Sequence, residues 1–203
     1  MGILDRFRKK KARRSYAGVN NGRLFADFVS MTRSSDSELK PALRILRNRC
    51  RELSRNDEYV RRYLQLLKTN VVGPAGVSVQ CKARNADGSL DAPGNRIVER
   101  AWKAWAKRGI CTVDGRLSFS DAQRLVIETL ARDGEVLVRK IPGANNPDRF
   151  AIQFLEADLL DEEKNTKLDN GNLVRMGVEI DGFEKPVAYH LLREHPGDHG
   201  FAN

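Results

Sequence analysis

Three histidines, His190, His195 and His199, crowd the last part of the chain, and four carboxylates, Asp158, Asp161, Glu162 and Glu163, lie upstream of them. Clustered imidazoles are metal-ligand chemistry. Here Pro196 and Gly197 interrupt any helix between them, and His190 falls on a predicted strand, so the three share no face. The carboxylates lack the glycine and alternating spacing of a calcium loop. Asp133 and Glu135 flank Gly134, and paired carboxylates can perform acid–base work. Their place at a predicted helix-to-strand joint makes them turn residues instead. A Gly-x-x-x-x-Gly-Lys-Ser/Thr phosphate loop, a Gly-x-Ser-x-Gly elbow and a Cys/His pairing are all missing from the sequence. The reading is of a non-enzyme with no catalytic residue, no metal and no cofactor. Cys50, Cys81 and Cys111 are odd in number and lack metal-ligand spacing, so they read as reduced thiols packed as small hydrophobes.

Charge says more than these clusters. The formal net charge is +9. Residues 148–203 hold 6 basic and 12 acidic side chains, a net of −6, which leaves +15 on residues 1–147. Arg6, Arg8, Lys9, Lys10, Lys11, Arg13 and Arg14 gather at the start against Asp5 alone, which suits a solvated arm or contacts to phosphates. Charge of this kind speaks to partners rather than fold. Met-Gly-Ile-Leu-Asp-Arg looks like a myristoylation start, but Arg6 stands where a hydroxyl is needed. No apolar run is long enough to span a membrane, and no membrane partner is expected.

The elements that must position these residues follow from periodicity. Leu39, Leu43, Leu46, Cys50 and Leu53 recur at intervals of four and three, the buried stripe of a long helix beginning near Ser37. The stripe loses phase at Ser54–Asp57. A second helix, capped by Asn56 or Asp57, should bury Val60, Tyr63, Leu64, Leu67 and Val71 before Gly73-Pro74 stops it. Arg44, Arg47, Arg49, Arg51, Arg55, Arg61 and Arg62 cover the exposed, solvated or salt-bridged faces. Residues 76–82 alternate as a short strand. Residues 95–107 should form a helix with Ile97, Val98, Ala101, Trp102 and Trp105 on one side, the tryptophans as core.

The organising stretch is Arg116–Lys140. Phe119, Ala122, Leu125, Val126, Thr129 and Leu130 make a helical face capped by Ser118 or Ser120, Gly134 ends it, and a strand follows. Residues 150–155 should pair with that strand as a hairpin, and residues 161–172 form a polar loop. Residues 173–180 and 186–192 form another hairpin, turned around Asp181-Gly182. The fold class is α+β: N-terminal helices, then a mixed helix and β-hairpin region. We expect a basic arm over 1–36 and a folded region over 37–203 that is incomplete at its C-terminus.

Several segments, in order, resemble the lambda-type portal proteins of tailed bacteriophages. They are Arg51-Glu52-Leu53-Ser54-Arg55-Asn56 with Tyr59, Asn70-Val71-Val72-Gly73, Ala101-Trp102-Lys103-Ala104-Trp105 and Cys111–Gly115. Asp133-Gly134-Glu135-Val136-Leu137-Val138-Arg139 is the most specific. Gly177–Asp181, Pro186–Leu191 and His195-Pro196 complete a likeness covering residues 37–199. The resemblance implies a structural protein of the virion's portal vertex, present in the host cytoplasm during assembly. Such proteins form a ring of about twelve copies. The resemblance further implies self-association, passage of double-stranded DNA, and the terminase large subunit, capsid or scaffold proteins and head-tail connector as partners. It places this chain in the arm and wing, as an N-terminal fragment without most of the stem, clip and crown, from a phage or prophage. The alternative is a basic nucleic-acid-binding module unrelated to portals.

Overall fold

The computed structural model describes residues 32–198. The seven basic residues of the arm, Arg6 to Arg14, lie outside them.

Two helices come first, α1 (Ser35–Asn56) and α2 (Glu58–Leu67). They part at Asp57, whose extended backbone (φ −103°, ψ 125°) lets its Oδ1 accept from Val60 N at 2.9 Å. That bond satisfies one of the free amides of a helix start and fixes the break between the helices. One turn of π-helix, Lys68–Val72, closes α2, and Gly73 leaves it at φ 73°. Leu64 and Val72 are buried, whereas Tyr63 and Val71, expected beside them, are exposed.

The segment 76–82 is extended but is not a strand. Side chains stand in for a ladder partner: Val77 N donates to Gln123 Oε1 (2.8 Å) and Gln123 Nε2 donates to Val77 O (3.0 Å). Further along, Cys81 N donates to Glu99 Oε1 and Ala83 N to Asn95 Oδ1. With its amides satisfied this way, the segment leaves Val77 and Val79 exposed.

Helix α3 (Ala92–Trp105) starts at Asp91, which accepts from Gly94 N. It buries Trp105 and half-buries Trp102, while Ile97 and Val98, expected on the same side, face solvent. The core forms around the tryptophans. Phe119 meets Trp102 edge-on at 5.0 Å, Trp105 lies 5.7 Å from Phe150, and Trp105 Nε1 donates to Phe150 O at 2.9 Å. Cys111 and Ile152 fill the remaining space. A buried indole needs such an acceptor, because an unpaired N–H inside the core costs about 1–3 kcal/mol.

Helix α4 (Phe119–Asp133) is closed at both ends by the residues that the sequence marks. Ser118 and Asp121 form a reciprocal capping box, and Gly134 ends the helix in the left-handed region at φ 85°. The chain then enters β1 (Leu137–Pro142), which pairs antiparallel with β2 (Phe150–Leu155) from Leu137 opposite Leu155 to Pro142 opposite Phe150. This is the expected hairpin. Thr112 adds a parallel bridge to Ile152.

The second sheet has the order β3 (Thr166–Lys167), β4 (Leu173–Arg175), β5 (Val178–Ile180), β6 (Pro186–Tyr189), all antiparallel. Two expectations are corrected here. The polar loop 161–172 contributes β3, and the single strand expected over 173–180 is itself a hairpin folded at Met176-Gly177 (φ 47° and 80°). A Cβ on Gly177 would sit 2.7 Å from Asp161 O, so only glycine lets the turn lie that close. The α+β class stands.

Gly134 isolates a backbone effect, because a Cβ there meets nothing within 4 Å. Gly134→Val should therefore cost about 2 kcal/mol from left-handed strain alone, and Gly134→Asn clearly less. Thermal unfolding of the two variants checks this, and an unchanged melting temperature for the valine variant would refute it.

Candidate functional site

Helix α1 turns a charged side chain, not its leucines, toward the body. Arg47 is only 2% exposed. Its Nη1 donates to Asp158 Oδ1 and to Glu162 Oε1, each at 2.9 Å, and its Nη2 donates to Glu135. One turn later, Arg51 forks onto Asp133 through Nε and Nη2 at 3.0 Å each, and its Nη1 lies 2.5 Å from Asp158 Oδ2. Arg132 holds Asp133 from the other side at 2.8 and 3.0 Å. The carboxylates come from the end of α4, the joint after Gly134, a 3-10 turn at Ala157–Leu159 and the loop beyond it. One helix face thus fastens four separate pieces of chain.

Electrostatics follow from this crowding. Burial pushes the Asp133 carboxyl up, but the guanidinium groups of Arg132 and Arg51 outweigh it and bring it down to about 2. For Asp158, too, burial opposes Arg51 and Arg47, and the net direction is down. Glu135 goes the other way: burial raises it, Arg47 opposes, and neighbouring Glu162 and Asp158 add to the rise. Arg47 serves three carboxylates at once, and Glu135 is the one left least compensated. Every one of these carboxylates accepts from a guanidinium, so none stands free as a base or nucleophile. Asp133 and Glu135 diverge to different arginines and make no acid–base pair.

The histidines do not converge. His190 lies between Lys164 Nζ (3.0 Å from Nδ1) and Glu179 Oε2 (3.3 Å from Nε2). His195 accepts from Gly197 N at Nδ1, so its proton sits on Nε2, which points at Glu156 Oε2 (3.3 Å) and Asp158 Oδ2 (3.7 Å). Glu156, Asp158 and His195 are near enough to one another to suggest a cation, but this tautomer makes His195 a donor to the carboxylates. His199 lies outside the described residues. Of the acidic group, Asp158 and Glu162 serve Arg47, and Glu163 reaches Lys40 at 3.0 Å.

Sequence reasoning missed Arg47, which it grouped with the solvated arginines. A signal was present: Arg47, Arg51 and Ser54 recur at four and three, a second helical stripe beside the leucines. The leucine stripe itself is the larger correction. Leu39, Leu46 and Leu53 are 45%, 51% and 48% exposed, and Cys50 is exposed with them. The arginine network takes the body-facing side of α1 and leaves the apolar seam uncovered.

Removing one partner of a buried ion network leaves charge uncompensated, at a cost of about 3–5 kcal/mol. Arg47→Met should lower stability by that order in urea unfolding, and Arg49→Met by less than about 0.5 kcal/mol. The pH dependence has a definite sign. The Asp133 carboxyl is depressed from 3.8 to about 2, so its stabilisation is complete above pH 4 and disappears as pH falls from about 4 toward 2. Raised Glu135 contributes oppositely and offsets none of the loss below its ordinary range. Unfolding at pH 6 and pH 2.5 should show the wild type losing about 2 kcal/mol more than Asp133→Asn.

Comparison with known proteins agrees with this non-catalytic geometry. The model for the phage portal protein, lambda family, matches residues 21–203. A protein of Halomonas phage phiHAP-1 described as "Probable portal protein" is 53% identical over 153 residues, 75% of this chain and 30% of that protein. The chain therefore spans about 30% of the length of the relative it matches. These findings set aside an unrelated nucleic-acid-binding module. The chain belongs to the lambda family of phage portal proteins.

Proposed function

We propose that the chain supplies the arm and wing of a portal subunit, residues 1–36 as a basic arm and residues 37–203 as a wing-like region. The subunit is structural: about twelve copies close a ring at one vertex of the capsid, and double-stranded DNA passes through it during packaging and ejection. The terminase large subunit, capsid or scaffold proteins and the head-tail connector are its partners, first in the host cytoplasm and then in the virion. The observation that carries this reading is the family match along 21–203, with 53% identity to the phage relative. The ion network supports it, since it fixes one helix rigidly to the rest and holds no free reactive group. Among the described residues, no helix is long and apolar enough to cross a membrane.

The identity is high enough for a direct exchange. Replacing the matching 153 residues of the Halomonas phage protein with those of this chain should give a chimera that assembles into rings of about twelve, read by native mass spectrometry. A folded chimera that stays monomeric at every concentration would overturn the proposal. For the arm, reversing Lys9, Lys10 and Lys11 to Glu should flatten the salt dependence of DNA retention while leaving the melting temperature unchanged.

A further inference from the structure

The uncovered face of α1 has a definite shape. Leu39, Leu43, Leu46, Cys50 and Leu53 alternate by four and three, the spacing at which apolar residues keep to one seam of a supercoiled helix pair. Counting on from Leu53, the same period reaches Val60, Leu64 and Leu67 of α2. That second half is covered, because α2 packs on helix α4 and buries Leu64. The first half belongs to the same repeat and has no cover among the described residues. A seam of this period fits the ridge of another helix and not the pleat of a strand.

Charge narrows the partner. At the positions that border the seam, every charged residue is basic: Lys40 and Arg47 on one side, Arg49 on the other. Glu38 and Glu52 stand off the border positions. Pairing α1 with its own copy would set like charges against one another, whereas acidic residues at the partner's border positions would complement them.

We propose that the exposed seam of α1 is a docking site for an acidic amphipathic helix, held by knobs-into-holes packing on Leu39, Leu46 and Leu53 and oriented by Lys40 and Arg49. Cys50, exposed midway along the seam, marks its register. The inference rests on the geometry of α1 and stands whether or not the ring forms.

The probe is a labelled 21-residue peptide with Leu at each seam position and Glu at each border position, titrated into the full chain and followed by fluorescence anisotropy. Its counterpart carries Lys in place of Glu. A second form carries Cys at the central seam position. The glutamate peptide should bind at least ~10-fold more tightly than the lysine peptide, a difference of about 1.4 kcal/mol. Leu46→Glu should abolish the binding without changing the melting temperature, since Leu46 is half exposed, and the cysteine peptide should cross-link to Cys50. Equal binding of the two peptides, binding unaffected by Leu46→Glu, or no binding at all would each overturn the proposal. So would a Cys50–Cys50 dimer as the main product of mild oxidation without peptide, which would make a second copy the occupant.

Discussion

Three carboxylates on one buried guanidinium is the constraint around which this molecule is arranged. Arg47 cannot be solvated where it sits, so Glu135, Asp158 and Glu162 must all be delivered to it. Such a site is a poor source of net stability, because desolvating the charges cancels most of their attraction. Its value lies in direction. A guanidinium with fixed donor geometry accepts its partners from few angles, so α1, the end of α4 and the turn at Ala157–Leu159 lock into one orientation. For a ring subunit, which must repeat the same contact many times, fixed orientation matters more than an extra kilocalorie.

The same choice explains the exposed leucines. A helix has room for one wide buried face, and on α1 the arginine side occupies it. The leucine seam lies about a quarter turn away and is left for something else. The break at Asp57 makes this possible. With Asp57 extended, α2 leaves the line of α1 and carries Val60 and Leu64 onto α4, while the first half of the repeat stays outside. A single capping residue thus divides one continuous repeat between the interior and the surface.

Much of the fold was legible because its signals are local. Ser118, Asp121 and Gly134 mark the ends of α4 by their own hydrogen bonds and backbone preference, and the indole rings of Trp102 and Trp105 could hardly be placed outside a core. The β1–β2 hairpin followed from alternation flanking a proline- and glycine-rich turn. What failed was long-range. Residues 76–82 alternate like a strand, but Gln123, Glu99 and Asn95 satisfy its backbone in place of a neighbouring strand, and side-chain substitutes of that kind leave no periodic trace. The Met176-Gly177 turn was hidden because Met176 adopts a positive φ that its type does not advertise. Arg47 was hidden for a further reason. Periodicity ranks faces by apolarity, and the face that α1 buries is the polar one.

That burial also has a timetable. Arg47 precedes Asp158 by 111 positions and Glu162 by 115. At about 5–20 residues per second of synthesis, roughly 5 to 20 seconds separate the arginine from its partners. Throughout that interval α1 shows solvent both an uncompensated cation and an open leucine seam, so the helix is born adhesive and loses only half of that character when the chain behind it arrives.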